Sequence, residues 1–147
     1  MVVKEATLED LEGIAQLFNE YRKFYHQEDH LDGAREYVHA RLDKGDSVLF
    51  MVKEDNAYLG FTQLYPTFSS ISMAKAWILN DLYVHKNARG KGVAEALLEE
   101  AKAYALETSA VSIALSTAPD NFPAQRLYEK HGYKRDEQFY HYELGLV

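Results

Sequence analysis

The chain of 147 residues contains no cysteine. Disulfides, thiolate metal sites and a covalent acyl-cysteine intermediate are therefore excluded. Cationic residues are in deficit: 16 Lys and Arg face 23 Asp and Glu, a formal charge of −7. That balance argues against nucleic acid, whose binding rests on phosphate neutralisation by Lys and Arg. It is compatible with a cationic small substrate, although acidity also serves solubility alone. No apolar run approaches the ~20 residues of a membrane span. Charge enters at once in Met1-Val2-Val3-Lys4-Glu5, so no signal peptide is read and a cytoplasmic protein is expected. The six histidines are scattered, and no metal is expected. Prolines number only three, and no linker, repeat or low-complexity tract interrupts the chain. One domain spanning 1–147 follows, with hydrophobic residues at 47%, enough for a full core.

Against these absences stands one concentrated feature, Asn80-Asp81-Leu82-Tyr83-Val84-His85-Lys86-Asn87-Ala88-Arg89-Gly90-Lys91-Gly92-Val93-Ala94. It reads as a strand, a turn, a basic glycine-rich loop and the start of a helix. A helix start exposes unpaired N–H groups and the positive end of the macrodipole. Gly90 and Gly92 let an anion approach the backbone, and Arg89 and Lys91 add charge. The segment suits a pyrophosphate. The dinucleotide fingerprint G-x-G-x-x-G and the phosphate loop G-x-x-x-x-G-K-[ST] are both absent. A plain basic turn before an ordinary helix would also fit the loop taken alone.

The rest of the chain has a legible order. Val2–Ala6 reads as a strand. Thr7-Leu8-Glu9-Asp10 is a capping-box-like start. Leu8, Leu11, Ile14, Ala15, Leu17, Phe18 and Tyr21 recur at helical spacing, to about Tyr25. Asp32–Leu42 reads as a second helix stopped by Gly45. Ser47–Lys53 and Ala57–Tyr65 form a hairpin around Glu54-Asp55-Asn56, and Pro66–Ser70 reads as a loop. A strand over Lys75–Val84, a helix over 90–107 and a strand over Val111–Ser116 make a right-handed β-α-β unit. Asp120-Asn121-Phe122-Pro123 opens a further helix, ended by Gly132. Tyr133–Arg135 and Phe139–Glu143 read as final strands. The expected fold class is α/β: a central mixed sheet flanked by helices, with ligands beyond the carboxyl ends of its strands.

Two motifs carry a resemblance. Arg89-x-x-Gly92-x-Ala94 resembles the acyl-coenzyme A signature of the GNAT superfamily of N-acetyltransferases, Gln/Arg-x-x-Gly-x-Gly/Ala. Asn121-Phe122-Pro123-Ala124-Gln125-Arg126-Leu127-Tyr128-Glu129-Lys130-His131-Gly132-Tyr133 resembles the superfamily's second segment, Asn-x-x-Ala-x-x-Leu/Phe-Tyr-x-x-x-Gly-Phe/Tyr. Strand Leu79-Asn80-Asp81-Leu82-Tyr83-Val84 is similar to that of the spermidine/spermine and thialysine N-acetyltransferase group, Leu-Glu-Asp-hydrophobic-aromatic-Val. It departs from it at Asn80, where that group has a glutamate, and asparagine cannot act as a general base.

The resemblance implies an N-acetyltransferase that moves the acetyl group of acetyl-CoA directly to a primary amine. The acidic balance suggests a small cationic one. It implies a general acid at Tyr128, and an acceptor or base role at Asp81 and Asn80. It also implies coenzyme A contacts from the backbone of Leu82, Tyr83 and Val84, from Arg89, Gly90, Lys91, Gly92, Val93 and Ala94, and from Asn121, with Ala124 giving room. A tyrosine with the ordinary pKa of about 10 is protonated at neutral pH and can supply a proton to a leaving thiolate. Each residue also has a plainer reading: Tyr128 as core, Asp81 as a hydrogen-bonded carboxylate in a splayed strand, Asn121 as a helix cap. Because side chains alternate along a strand, Asn80 and Asp81 are expected on opposite faces. Related small amine acetyltransferases are commonly homodimers, and Phe139-Tyr140-His141-Tyr142 is the expected interface segment. The alternatives are acetylation of a protein lysine or N-terminus, and a catalytically silent acyl-CoA sensor.

Overall fold

The computed structural model describes all 147 residues. They form two compact units, Met1–Ser116 and Thr117–Val147. In the first unit, strand β1 (Val3–Glu5) leads through a single 3-10 turn into helix α1 (Leu11–Phe24). The predicted capping box forms at that turn: the Thr7 hydroxyl accepts from Glu9 N–H, and the Asp10 carboxylate accepts from Thr7 N–H. Helix α2 spans Leu31–Lys44 and stops at Gly45, whose φ of 61° is left-handed. Strands β2 (Val48–Glu54), β3 (Ala57–Ser69) and β4 (Ala74–Val84) follow, then helix α3 (Val93–Glu107) and the short strand β5 (Ile113–Ala114).

The sheet order is β1-β2-β3-β4-β5. The first four strands are antiparallel, and β5 joins β4 in parallel, as the β-α-β reading requires. Helices cover both faces. Ile14, Leu17 and Phe18 of α1 and Ala34 and Val38 of α2 bury against Leu49, Met51 and Phe61. On the other face Val93, Leu97, Leu98, Ala101 and Ala105 of α3 are buried. The Tyr104 ring lies 5.3 Å from both Phe50 and Trp77. Gly60 lets α3 seat closely: a Cβ there would meet Val93 Cγ1 at 2.8 Å and the Tyr83 carbonyl at 2.9 Å.

Three expectations are corrected. Pro66–Ser69 is strand, because β3 runs on past the end of β2 and pairs with β4 alone, Pro66 opposite Trp77. Trp77 N–H points to Ser112 on the far side, so the Pro66 nitrogen faces outward, where no ladder bond is lost. The strand expected over Val111–Ser116 is reduced to Ile113–Ala114, for a reason given below. No strand forms over Tyr133–Arg135 or Phe139–Glu143. The Asp136 carboxylate instead accepts the N–H groups of Gln138 and Phe139, a local turn that competes with extended pairing. In the second unit helix α4 (Phe122–Lys130) is capped by Asn121, whose side chain accepts from Ala124 N–H. Gly132, with φ 93°, follows its end. No helix of the protein is long and apolar enough to cross a membrane.

Candidate acetyl-transfer site

The register of β3 and β4 builds the site. Gln63 lies opposite Asp81, and the next pair is Leu64 with Leu79, so Asn80 is an extra residue on β4. This bulge ends simple alternation. The expected opposite facing of Asn80 and Asp81 does not hold in full: Asn80 is exposed and Asp81 buried, yet Asn80 Nδ2 donates to Asp81 Oδ1 at 3.1 Å. A bulge bends the strand that carries it, and this one lies where the β4–β5 pairing ends. That ladder pairs only Trp77 with Ile113 and Ile78 with Ala114, and stops just before the bulge.

From Leu79 to Val84 the β5-side edge of β4 therefore has no strand partner. His85 N–H donates to the Leu59 carbonyl. Counting back along a regular antiparallel register, the peptide groups of Tyr83 and Asp81 point into the β3 ladder, and those of Val84 and Leu82 point to the open edge. Of the three backbone positions drawn from the sequence, Leu82 and Val84 present N–H and C=O groups outward. Tyr83 presents a ring to α1 instead, 6.0 Å from Tyr21 and 6.3 Å from Phe24.

The glycine-rich loop follows the open edge at once. Gly90 and Gly92 have φ of 77° and 83°, a region costly for L side chains, and a Cβ at either would meet nothing within 4 Å. Gly92 is the N-cap of α3 and has no side chain with which to cap it. The first-turn N–H groups of Val93 and Ala94 thus face a space lined by glycine. The Val93 side chain itself is core, 1% exposed, so its contribution there is backbone only. Lys91 is exposed. Arg89 also has partners within the protein. Its Nε donates to the Val84 carbonyl at 3.2 Å, and its guanidinium stacks over the rings of Tyr83 and Phe24 at 5.6 and 5.7 Å. It ties the loop to the open edge and to the end of α1. In the second unit Tyr128 lies on α4, two turns from Asn121, with its ring 6.0 Å from Tyr133.

Asp81 is 5% exposed, and its carboxylate takes a second bond from Gln63 Nε2 at 3.0 Å. Thr62 Oγ1 donates to the Asp81 carbonyl at 2.8 Å. Gln63 also donates to the Tyr65 hydroxyl, which shares a 2.6 Å hydrogen bond with Tyr37 of α2. Burial, then the Tyr37 bond and the nearby Asp81 charge, raise the Tyr65 phenol above its ordinary pKa. Gln63, Tyr65 and Tyr37 are not among the sequence-derived candidates. The available signal was a Thr62-Gln63 pair inside an otherwise apolar hairpin strand.

A groove of about 740 Å³ lies between α1 and the ends of β3 and β4, lined by Gln16, Asn19, Tyr58, Tyr83 and His85 among others. It contains neither Asp81 nor the glycine loop. No group of three His, Asp or Glu side chains is arranged to hold a metal.

An open strand edge running into a glycine-led helix start matches the linear shape of an acyl-CoA, a pantetheine arm followed by a pyrophosphate. Similarity agrees with that geometry. The acetyltransferase (GNAT) family matches residues 12–133. An uncharacterized N-acetyltransferase of Bacillus subtilis, YhfO, is 45% identical over 146 residues, covering 99% of this chain and 98% of its own. A crystal structure described as a probable acetyltransferase superposes with a TM-score of 0.95 at 42% identity, over 100% of this chain and 99% of the other. The ribosomal-protein-alanine N-acetyltransferase of Brucella melitensis shares the fold, with a TM-score of 0.79 at 22% identity over 98% of this chain and 100% of its own. Family match, near full-length relatives and site geometry converge: the chain belongs to the acetyltransferase (GNAT) family and is an acetyl-transferring enzyme.

Proposed function

We propose that this enzyme transfers the acetyl group of acetyl-CoA directly to the primary amine of a small cationic acceptor. The observation that carries the reading is the buried Asp81 carboxylate, set beside the bulge where the β4 edge opens. Acetyl-CoA supplies an activated thioester carbonyl. The outward peptide groups of Leu82 and Val84 pair with the pantetheine arm as an added strand would, and an N–H among them receives the charge that develops on the carbonyl oxygen. Tyr83 packs behind them. Arg89, Gly90, Lys91, Gly92, Val93 and Ala94 hold the pyrophosphate, and Asn121 and Ala124 complete the cofactor contacts by their motif positions.

Asp81 draws the ammonium group by a charge-assisted hydrogen bond. Asn80, an amide, cannot act as the base, and it adds a hydrogen bond to Asp81 Oδ1 from the exposed side. The reacting nitrogen loses its proton to water, the N–C bond forms and the C–S bond breaks. Tyr128 gives its proton to the departing thiolate and regains one from solvent. With no cysteine, no acyl-enzyme on sulfur intervenes. The likeness of strand Leu79–Val84 to the polyamine-acetylating group supports a diamine-like acceptor, with Asn80 as the point of difference.

A panel of 1,5-diaminopentane, L-lysine, glucosamine, an alanyl peptide and L-glutamate tests the reading by mass detection of acetylated product. The cationic amines are expected to lead. Asp81→Asn is expected to raise the acceptor KM by roughly 10- to 100-fold, the worth of one hydrogen bond to a charged group. The KM for acetyl-CoA should move little. A lead by L-glutamate, with kinetics indifferent to Asp81→Asn, would falsify the cationic-acceptor reading.

The same proposal includes a cytoplasmic homodimer. Tyr140 and Tyr142 are 90% and 93% exposed, and Phe139, Leu144 and Leu146 are also exposed. An apolar run of this kind favours burial against a second copy. Sedimentation equilibrium should return twice the 16.9 kDa chain mass, and Tyr140→Asp should shift it toward the monomer. A monomer mass at every concentration rules the dimer out.

A further inference from the structure

The polar chain behind Asp81 has a feature that stability alone does not require. Gln63 is 1% exposed, and all its amide groups are committed. Nε2 donates to Asp81 Oδ2 and to the Tyr65 hydroxyl, and Oε1 accepts from Ser47 Oγ at 2.8 Å. A flipped amide would turn its oxygen onto the Asp81 carboxylate, acceptor against acceptor. Ser47 would remain able to bond, but Asp81 would lose a donor in a buried site. One amide orientation is therefore selected, with Ser47 at one end and Tyr65 at the other. Tyr65 is in turn fixed to Tyr37 on α2. Asn80 reaches only the other carboxylate oxygen, Oδ1, from an exposed position. The direction of the Asp81 carboxylate is thus set from the interior, by β3.

We infer that Gln63 is the positioning residue for Asp81, locked by Ser47 and Tyr65, and that acceptor binding depends on it through the direction of the Asp81 carboxylate. The inference rests on the acceptor-anchoring role of Asp81 proposed above. Gln63 does not touch the acceptor. It removes rotational freedom from the group that does, which lowers the cost of ordering that group on binding.

Gln63→Leu keeps side-chain bulk and removes the three polar contacts. With the panel's best amine, its acceptor KM should rise about tenfold while the acetyl-CoA KM stays within about twofold. In an Asp81→Asn background the same change should add less than about twofold, because the residue it positions has already lost its charge. A merely structural glutamine would lower the melting temperature and add its effect equally in both backgrounds. Ser47→Ala, a smaller change at a half-buried site, covers the case in which Gln63→Leu does not fold. It should raise the acceptor KM in the same direction, about threefold. A crystal structure of either variant reads the claim without any acceptor: the Asp81 carboxylate should leave its present rotamer. An unmoved carboxylate, or an unchanged acceptor KM where Asp81→Asn raises it, overturns this inference alone. An acceptor KM indifferent to Asp81→Asn overturns the anchoring role and this inference together.

Discussion

Replacing Gly92 with valine is expected to abolish coenzyme A binding while leaving a folded protein. Gly92 sits in the left-handed region at φ 83°, where a β-branched residue is strained by about 1–2 kcal/mol. Nothing in the protein lies within 4 Å of the added Cβ, so no internal clash compounds that strain. The new side chain instead fills the space through which an anion must approach the Val93 and Ala94 amides. Each charge-assisted hydrogen bond lost there costs roughly 10- to 100-fold in affinity. In the parent protein, coenzyme A at about 100 times its Kd should stabilise the native state by about 2.7 kcal/mol, read as a rise in Tm. The Gly92→Val variant should show no rise. Gly45→Val is the control, because Gly45 is also left-handed, also uncrowded, and lies at the end of α2. It carries similar strain but should keep the full shift. A coenzyme A shift retained in Gly92→Val would show that the α3 start is not the pyrophosphate site.

Tyr128→Phe is expected to lower kcat by about 100-fold or more, the range for loss of a positioned general acid. Only the hydroxyl is removed, and the ring that lies beside Tyr133 remains. Binding of acetyl-CoA should therefore change little, and kcat and kcat/KM should fall together, the pattern of an interaction made in the transition state. Single-turnover measurements are the proper readout, since they isolate the chemical step from product release. Initial-rate lines against the two substrates should intersect, as direct transfer requires, and parallel lines would point to a covalent intermediate. Unchanged single-turnover rates in Tyr128→Phe would reduce the residue to packing.

Much of the scaffold was legible because it is written in short-range chemistry. The Thr7 capping box, the left-handed stop at Gly45 and the Asn121 cap each depend on residues within four positions of one another. The buried faces of α1 and α3 follow from helical spacing of apolar residues. The strand–helix–strand order required a parallel β4–β5 pair, and the pair is parallel. Local reading failed where a neighbour was decisive. Pro66 looks like a breaker, and only the early end of β2 leaves its nitrogen an outward edge to occupy. Tyr133–Arg135 and Phe139–Glu143 have strand composition, but Asp136 turns the chain between them and no strand forms.

The site divides in the same way. By itself the sequence determined the glycine-rich basic loop at a helix start, because backbone freedom at Gly90 and Gly92 and the unpaired amides beyond them are properties of a few adjacent residues. Only the tertiary structure decided that Asn80 is a bulge, that Leu82 and Val84 rather than Tyr83 face the open edge, that Arg89 turns onto Phe24 and Tyr83, and that Gln63 grips Asp81 from 18 positions away. These features depend on the register between β3 and β4 and on what the helices press against each face. A one-residue slip in that register would send every side chain to the opposite side of the sheet, and the registering contacts are spread over the whole hairpin and its core.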